Sequence, residues 1–481
     1  MPSQPNILWI CTDQQRWDTI HALGNEQIHT PNLDRLCAEG VAFTRAHCQN
    51  PICSPSRASF LTGLYPSRLP ANINGNAQLN LPEGVELITR RLADAGYECG
   101  LSGKLHLASA FHGVENRVDD GYSYFAYSHA PTQGMGMGNQ YTDWLESMGK
   151  LDDVLDLSGF DPDLQRGAAY RPNVPFELHH TTWCCDRAIE FMRDAGPGPW
   201  LMSVNIFDPH PPYDAPEDYA TRYDPDDLDT PRFEEGDLEN QGRIAATHMF
   251  QSGAQTPGKA EQRNKANYYG MIELLDENVG RMLDELEESG QREKTLVIFT
   301  SDHGNLLGDH GLSQKGCRFY DGLVRVPLLM SWADHFDEGV RADGLVELTD
   351  LAPTLAELAG SDMHPTDGET LVPILKGESD PGVHRKRVRC EFYDVLDMDY
   401  GKADRAPHDP SYATMLRDER YKLVDYHGSE YGELYDMERD PEEHDNLWED
   451  PEMAEIRRRM IRQITEIAPV TEDPAKRVGR F

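Results

Sequence analysis

The most informative stretch of the sequence places a potential nucleophile at the start of a helix. Residues 52–63 read I-C-S-P-S-R-A-S-F-L-T-G, so Cys53 comes two residues before a proline. Proline suits the first turn of a helix, where its missing N–H costs nothing, and this predicts Cys53 at or beside the helix N-terminus. The free N–H groups there attract negative charge, and Arg57 follows one helical turn later. Together they indicate chemistry on a tetrahedral oxyanion.

Two other interpretations of Cys53 have to be weighed. A lone cysteine before a helix is commonly a small buried apolar side chain without a chemical role. A phosphatase that attacks with a cysteine thiolate would need an arginine six positions after the cysteine, and that position is Ser59. The thiolate mechanism is therefore disfavoured, and the structural interpretation has to be judged against the rest of the sequence.

Two strand-like segments each end in an aspartate. Asp13 follows a short apolar run in T-D-Q-Q, and Asp302 follows another in S-D-H-G. The carboxyl ends of adjacent parallel strands meet at one edge of a sheet, so these carboxylates can come together. With Gln14 they offer oxygen ligands for Ca²⁺ or Mg²⁺, and His303 widens the choice to Mn²⁺. The alternative for each aspartate alone is a helix cap or a turn residue.

Four further basic side chains occur in short motifs. Lys104 and His106 lie in G-K-L-H, and because side chains two apart in a strand point to the same face, both can enter one pocket. His210 lies in D-P-H-P-P-Y, and Lys315 lies in Q-K-G-C-R-F-Y. Without further context Lys104 and His106 would be assigned to the surface.

Taken together, these motifs resemble the signatures of type I sulfatases, a family of the alkaline phosphatase superfamily. The Cys-Ser-Pro-Ser-Arg stretch followed by Leu-Thr-Gly is similar to the first sulfatase signature, and residues 96–106 are similar to the second. Residues 350–355 (D-L-A-P-T-L) and 433–447 (E-L-Y-D-M-E-R-D-P-E-E-H-D-N-L) are similar to later family segments. The resemblance runs from residue 6 to residue 447 and so covers nearly the whole chain.

The resemblance implies a sulfuric ester hydrolase that uses formylglycine. In that family the cysteine is oxidised to formylglycine (3-oxoalanine) by a formylglycine-generating or sulfatase-maturating enzyme. One hydroxyl of the hydrated aldehyde attacks sulfur, and deprotonation of the other then expels sulfate. The substrate is a sulfate monoester of a carbohydrate, an aryl alcohol or a small alkyl alcohol. The implied catalytic residues are Cys53, Arg57, Lys104, His106, His210 and Lys315.

The resemblance also implies one role for each of these side chains and one divalent cation. Arg57, Lys104 and Lys315 would neutralise the sulfate oxygens. His210 or Lys315 would protonate the departing alcohol, and His106 would take the proton of the second hydroxyl. The cation would be Ca²⁺ before Mg²⁺ or Mn²⁺. Its implied ligands are Asp13, Gln14, Cys53, Asp302 and His303.

Two positions depart from the arylsulfatase pattern and keep a second activity open. Gln14 stands where the family has a second aspartate, and His303 stands where asparagine is common. The Asp-Gln and Asp-His pairs also resemble phosphonate monoester hydrolases, so hydrolysis of a phosphonate monoester or a phosphodiester is the alternative. Cys99 and Leu105 depart from the second signature without removing a reacting group. A non-catalytic binding protein of this fold would have lost site residues, whereas every required position is filled.

Length, charge and cysteine content restrict the class of protein and its partners. The chain has 481 residues and a formal net charge of −38, which argues against nucleic acid and anionic membranes as partners. No apolar run is long enough to span a bilayer, and the start shows no leader, so a cytoplasmic location is expected. The nine cysteines are an odd number without metal-ligand spacing, which argues against a disulfide framework. Oligomeric state and the alcohol half of the substrate stay open.

Alternating strand and helix patterns predict an α/β fold with a large, mostly parallel sheet flanked by helices, as the resemblance to the alkaline phosphatase superfamily also implies. Residues 110–180 and 214–263 lack clear periodicity and are predicted to be long loops near the site. Those loops carry His112, Tyr124, Tyr127, His179 and His180 as candidates for contacts with the alcohol half. The predicted strands are 6–11, 96–107 (with a loop), 200–207, 295–300 and 326–331, and the predicted helices are 32–40, 86–96, 183–194, 266–288 and 351–360.

The pattern changes after about residue 377, where short strands follow one another. Strands are predicted at 387–393, 413–417, 421–426 and 433–436, with a charged helix at 451–467. This order is typical of a small α+β subdomain with an antiparallel sheet. The predicted division is a catalytic α/β domain, residues 1–376, and a C-terminal subdomain, residues 377–481.

Overall fold

Two β-sheets and the helices packed around them make up the fold. The computed structural model describes residues 4–69, 79–110, 114–131, 139–155, 174–244, 254–393 and 411–467. The strands are β1 (Asn6–Thr12), β2 (Val41–His47), β3 (Glu98–Gly103), β4 (Tyr124–Tyr127), β5 (Trp200–Asn205), β6 (Thr295–Ser301), β7 (Arg325–Val326), β8 (Leu328–Ser331), β9 (Val340–Glu347), β10 (Arg387–Tyr393), β11 (Tyr412–Asp418), β12 (Tyr421–Tyr426) and β13 (Glu433–Asp436).

The helices lie between these strands along the chain. They are α1 (Pro31–Ala38), α2 (Cys53–Thr62), α3 (Ile88–Asp94), α4 (Gln140–Ser147), α5 (Leu151–Leu155), α6 (His180–Asp194), α7 (Glu217–Ala220), α8 (Glu235–Arg243), α9 (Lys259–Glu288), α10 (Asp321–Val324), α11 (Leu351–Ala359), α12 (Val372–Leu375) and α13 (Ala454–Ile467).

The larger sheet has nine strands in the order β4-β3-β5-β1-β6-β8-β2-β7, with β9 paired to β2. The pairs that join β4, β3, β5, β1 and β6 are parallel, and β8 and β7 run antiparallel to their neighbours. Along β1 the side chains alternate between two apolar clusters, with Ile7 and Trp9 in one and Leu8 and Ile10 in the other. The predicted α/β class with a mostly parallel sheet is confirmed.

The smaller sheet lies in the C-terminal part of the chain. Its four strands are antiparallel and follow the order β10-β11-β12-β13, as the sequence predicted. Met460 and Ile464 of α13 share an apolar cluster with side chains of β11 and β12. Cys390 and Phe392 of β10 belong to the same apolar cluster as β1 of the larger sheet. The domain division at residues 376 and 377 stays a prediction.

The prediction of long loops over residues 110–180 and 214–263 is wrong for much of both regions. The first contains β4, α4, α5 and the start of α6, and the second contains α7, α8 and the start of α9. Apart from the two helix starts, these elements have nine residues or fewer, too few for a clear hydrophobic period. His112 lies outside the described residues.

Three further elements differ from the sequence prediction. Helix α9 begins at Lys259, seven residues before the predicted start, because its first turns are polar; the Glu261 carboxylate there accepts a 2.7 Å hydrogen bond from the Gly258 N–H. Strands β2 and β9 were not predicted. Three of the seven residues of β2 are polar although the strand is largely buried. Its sequence therefore lacks the continuous apolar run that predicts a buried strand.

All nine cysteines lie in the described part of the chain and are free thiols, so the prediction that the chain has no disulfide framework is confirmed. Eight of them are buried, and Cys37 is partly exposed. Among the described residues, no helix is both long and apolar enough to cross a membrane.

Candidate active site

The ends of two parallel strands bring the two predicted aspartates together. Strands β1 and β6 pair in parallel with Thr12 opposite Ser301, so Asp13 and Asp302 leave the sheet at the same level. The Asp302 N–H donates a 3.2 Å hydrogen bond to the Thr12 carbonyl, which fixes this register at the sheet edge. Both carboxylates are fully buried. The sequence argument from strand ends is therefore correct in its geometry.

Four side chains with metal-binding atoms converge at this edge. Ligand atoms of Asp13, Cys53, Asp302 and His303 all lie within 4.8 Å of one another. The Cys53 sulfur is 3.2 Å from His303 Nε2 and 3.6 Å from Asp13 Oδ1. His303 Nδ1–H donates a 2.8 Å hydrogen bond to the Gly304 carbonyl, which leaves the Nε2 lone pair directed at the cluster. This is the arrangement of a histidine that ligates a metal through Nε2.

Gln14 adds an amide group to the same place. Its backbone has a positive φ of 72°, and its N–H donates a 3.2 Å hydrogen bond to Asp302 Oδ1. Within the described part of the chain, neither atom of the buried Gln14 side-chain amide has a hydrogen-bond partner. A buried amide without partners is costly and requires an explanation. A cation held by the neighbouring carboxylates would satisfy the amide oxygen.

Cys53 is the first residue of helix α2, as the sequence predicted. Ile52 is the extended N-cap residue, and the Ser56 hydroxyl donates a 2.5 Å hydrogen bond to the Asp302 carbonyl, tying the first turn to the sheet edge. Burial and the Asp13 carboxylate raise the pKa of the Cys53 thiol. Lys104 and Lys315 outweigh them, so its pKa is below the usual value.

Three cations surround the cluster, and each has an anionic partner in it. Lys315 Nζ lies 2.9 Å from the Cys53 sulfur, and Lys104 Nζ forms an ion pair with Asp13. Arg57 Nε donates a 2.8 Å hydrogen bond to Asp302 Oδ2. Arg57 Nη2 is buried and has no partner among the described residues. The guanidinium therefore holds Asp302 in place and keeps one nitrogen for an anion.

Comparison with known proteins agrees with this geometry. The sequence matches the sulfatase family over residues 5–361. The chain belongs to the sulfatase family. Residues 308–469 also match the C-terminal family described as N-sulphoglucosamine sulphohydrolase, C-terminal. The sulfatases are hydrolases of the alkaline phosphatase superfamily, as the sequence motifs indicated.

Individual relatives cover nearly the whole of this sulfatase. An arylsulfatase of Clostridium perfringens is 29% identical over 96% of this chain and 94% of that protein. The multifunctional alkaline phosphatase superfamily protein PehA of Trinickia caryophylli is 31% identical over 94% of this chain and 93% of that protein. The crystal structure of a phosphonate monoester hydrolase of Agrobacterium radiobacter matches with a TM-score of 0.81 and 28% identity, over 96% of this chain and 95% of that one.

His106 of this sulfatase lies in a turn and not in the strand that was predicted to carry it. Strand β3 ends at Gly103, and His106 lies in the following turn with a positive φ of 55°. Burial and the Lys104 charge hold the pKa of His106 well below its usual value, so its ring is neutral. Its Nδ1 is buried without a partner among the described residues. We expected Lys104 and His106 to enter one pocket because both would lie on one face of a strand. That reason is wrong, since both residues follow the end of β3.

A buried glutamate that the sequence analysis missed holds this turn. The Glu115 carboxylate accepts hydrogen bonds from the backbone N–H of His106 at 2.6 Å and of Leu107 at 2.9 Å. The Tyr127 hydroxyl donates a third at 3.2 Å. Burial raises the pKa of Glu115 to about 7. No spacing in the sequence relates Glu115 to His106, because the contact depends on the path of the loop.

We expect Glu115→Gln to remove a pH dependence of stability. The pKa of Glu115 is about 7 in the folded chain against an ordinary value of 4.5, so the folded state binds more protons between these values. The free energy of unfolding should therefore fall as the pH rises through this window, by up to about 3 kcal/mol relative to the variant. Urea unfolding of both proteins at several pH values measures the difference. Glu98→Gln, at an exposed glutamate, is the control, and parallel profiles for wild type and Glu115→Gln would contradict the expectation.

His210 lies on the loop after β5, beside the cations. Its Nδ1–H donates a 2.6 Å hydrogen bond to the Pro211 carbonyl, so Nε2 of the neutral ring carries a lone pair. Burial and the Lys315 charge hold the pKa of His210 well below its usual value. Neither His210 nor His106 makes a hydrogen bond to the metal-ligand cluster within the described residues.

The remaining loop candidates that the structure describes contact other parts of the fold, and their contact with the alcohol half stays a prediction. The Tyr127 hydroxyl is used by Glu115, and the Tyr124 ring packs against Phe191. His179 caps helix α6, where its ring accepts a hydrogen bond from the Thr181 N–H at 3.3 Å. The His180 ring is hydrogen-bonded to the Ser128 hydroxyl at 2.9 Å. Each of these four side chains therefore has a partner within the fold.

Proposed function

We propose that this chain hydrolyses a sulfate monoester to an alcohol and inorganic sulfate, with the nucleophile supplied by Cys53 after its conversion to formylglycine. The observation that carries the proposal is the position of the Cys53 sulfur. It lies at the N-terminus of α2, 2.9 Å from the Lys315 ammonium and in one cluster with metal-binding atoms of Asp13, Asp302 and His303. A buried structural cysteine has no need of a cation at 2.9 Å. The conversion implies a formylglycine-generating or sulfatase-maturating enzyme as a partner.

We infer that one divalent cation is held by Asp13, Gln14, Asp302 and His303, with the modified Cys53 beside it. The fit rests on the orphaned Gln14 amide and on the His303 ring, whose Nδ1–H is already committed to a carbonyl. Three oxygen donors favour Ca²⁺, and the imidazole also suits Mn²⁺. When bound, the cation supplies Lewis-acid stabilisation of negative charge on the ester and on the nucleophile.

The cations of the chain supply the rest of the charge for the sulfate group. Lys104 and Lys315 each lie against Asp13 or Cys53, and Arg57 keeps Nη2 unpaired. All three side chains are buried, so their charges act in a medium that screens them weakly. Each contact that tightens in the transition state contributes about 2–4 kcal/mol. These side chains orient the sulfate and stabilise charge that accumulates on its oxygens.

The proton transfers are assigned from the states of the side chains. A neutral His210 with its proton on Nδ1 can only accept at Nε2, so it cannot protonate the departing alcohol. It can accept a hydrogen bond from the alcohol hydroxyl once that oxygen has received its proton. The Lys315 ammonium, whose neighbours Cys53 and Asp13 raise its pKa against the effect of burial, carries the proton for the alcohol oxygen. Neutral His106 is the base that removes the proton needed for sulfate release.

A specific observation favours a second candidate, a phosphonate monoester or phosphodiester hydrolase. The Asp-Gln and Asp-His pairs that contain Gln14 and His303 resemble that class, and His303 lies in the cluster of metal-binding side chains. A solved phosphonate monoester hydrolase also matches with a TM-score of 0.81. Lys104 and His106 favour the sulfatase instead, because the G-K-L-H motif that carries them resembles the second sulfatase signature.

The two candidates are separated by one comparison of substrates. We expect kcat/KM for para-nitrophenyl sulfate to exceed that for para-nitrophenyl phenylphosphonate by about 10-fold or more. The enzyme should be produced with a formylglycine-generating enzyme, and released nitrophenol measured for both esters. A higher value for the phosphonate would establish the second candidate. Absence of turnover for both esters and for a panel of monosulfated sugars, with the metal and the aldehyde present, would contradict both candidates and favour a binding protein.

A further inference from the structure

His129 follows strand β4 at the same sheet edge as the turn after β3, which carries His106 and is called the catalytic turn below. Strands β3 and β4 pair in parallel with Gly103 opposite Tyr127, so the residues after each strand leave the sheet side by side. The Ser128 N–H donates a 3.0 Å hydrogen bond to the Gly103 carbonyl, and the Ser128 hydroxyl is bound by His180 at 2.9 Å. The backbone that presents His129 is therefore fixed from two sides.

The His129 ring packs against the catalytic turn. Its ring contacts the His106 ring edge-to-face, with centroids 4.5 Å apart and planes at 83°. The residue is only 6% exposed, and its Nδ1 is buried without a hydrogen-bond partner among the described residues. Burial and the Lys104 charge hold the pKa of His129 well below its usual value. The ring is thus a neutral imidazole with one donor and one acceptor.

A neutral imidazole suits the alcohol half of the ester better than the sulfate. The sulfate group is already served by Lys104, Arg57 and Lys315, which carry full charges around Cys53. Among the described residues, His129 makes no hydrogen bond to those cations or to Cys53, and its ring contacts the His106 ring. With the sulfate held by the three cations, the part of the substrate that is left for His129 is the alcohol.

We propose that His129 is a specificity-determining residue whose Nδ1 hydrogen-bonds a hydroxyl group of the alcohol half, so that the preferred substrate is the sulfate ester of a polyhydroxylated alcohol such as a sugar. The proposal rests on the proposed sulfatase function. A hydroxyl both donates and accepts, and it satisfies the buried nitrogen whichever tautomer the ring adopts. An unsubstituted aryl ring leaves that nitrogen unpaired, and a site built for a hydroxyl rejects such an analogue.

The test compares two classes of sulfate ester in wild type, His129→Ala and His129→Asn. The sugar substrates are monosulfated hexoses and hexosamines, and para-nitrophenyl sulfate is the ester without an alcohol hydroxyl. For the best sugar sulfate, His129→Ala should lower kcat/KM about 30-fold or more, mainly through KM, while para-nitrophenyl sulfate changes less than about 3-fold. Asparagine places an amide near the Nδ1 position and should restore much of the loss.

The deoxy analogue of the best sugar sulfate identifies the hydroxyl. Removing the contacted hydroxyl should lower wild-type kcat/KM about as much as His129→Ala does, and the two changes together should add little more. Equal losses for the sugar and aryl esters, a wild type without preference for sugar sulfates, or an unchanged preference in His129→Ala would each overturn the proposal. Wild-type turnover of para-nitrophenyl sulfate tests the sulfatase function separately, so failure of one does not count as failure of the other. Thermal unfolding shows whether each variant is folded.

Discussion

Replacing Cys53 by alanine is expected to abolish nearly all turnover of a sulfate ester, with kcat falling by roughly 10⁴-fold or more. The sulfur of Cys53 lies 2.9 Å from Lys315 Nζ and 3.2 Å from His303 Nε2, so it stands where the cations and the metal ligands meet. Alanine keeps the helix start but offers no atom that can become the nucleophile. Steady-state release of sulfate from para-nitrophenyl sulfate measures the loss.

A second buried cysteine provides the matched control. Cys185 is as buried as Cys53 but lies on helix α6, in an apolar cluster away from the site. Cys185→Ala should keep a rate close to that of the wild type, with at most a small loss of stability from the cavity. Wild-type-like turnover by the Cys53 variant would overturn the assignment of the nucleophile.

Mass spectrometry of one peptide tests the modification directly. Trypsin should release residues 46–57, a peptide that contains both Cys48 and Cys53. Conversion of Cys53 to formylglycine exchanges a sulfur and two hydrogens for an oxygen, while Cys48 should stay a thiol that can be alkylated. Cys48 is thus an internal control in the same peptide. An active sample in which both positions are thiols would contradict the formylglycine proposal.

The parts of the site that could be predicted from sequence depend on rules with a short range. A proline in a first turn fixes where α2 begins, and so where Cys53 lies. Parallel pairing fixes that side chains after β1 and β6 meet, and so predicts the convergence of Asp13 and Asp302. Neither inference needed the path of a loop. Both positions agree with the structure.

The parts that could not be predicted depend on contacts between distant segments. The motif G-K-L-H does not indicate that His106 adopts a positive φ. Glu115, which binds the His106 backbone N–H, comes from a later loop. His129 was not identified from the sequence, because its position beside His106 depends on the pairing of a four-residue strand. Arg57 was expected to neutralise sulfate oxygens, but the sequence did not indicate that its Nε would bind Asp302. Pattern reading recognises the residue types but not these partners.

Gln14 and His303 show why a departure from a family pattern need not remove a metal site. Glutamine in place of aspartate removes one negative charge but keeps an oxygen donor, and histidine in place of asparagine offers a nitrogen donor. The three buried cations around the cluster already compensate the remaining carboxylates. A ligand set with fewer negative charges should bind the cation less tightly and admit Mn²⁺ more readily.

Removing the divalent cation is the second change for which we expect a very large effect. Chelation should lower kcat by about 10³-fold or more, because the charge on the ester oxygens then lacks its strongest stabilising partner. Ca²⁺, Mg²⁺ or Mn²⁺ added to the apoenzyme should restore activity to different extents. Asp302→Asn should lower kcat by a similar factor, since it removes one ligand charge and the partner of Arg57. Added metal should not restore the activity of this variant. Metal content and turnover are measured on the same samples.

The stability of Asp302→Asn has to be separated from its activity, and Asp350 offers the control. Like Asp302, Asp350 is fully buried and paired with an arginine, Arg385, whose Nε lies 3.0 Å away, but it is not part of the metal-ligand cluster. Each asparagine variant removes a buried carboxylate that is paired with a guanidinium, although Arg385 keeps an ion pair with Glu347 at 3.2 Å. Each variant should lose up to about 3 kcal/mol of unfolding free energy. Only Asp302→Asn should also lose the bound metal and nearly all turnover per folded molecule. Full metal content and wild-type turnover in folded Asp302→Asn would show that the cation is held elsewhere.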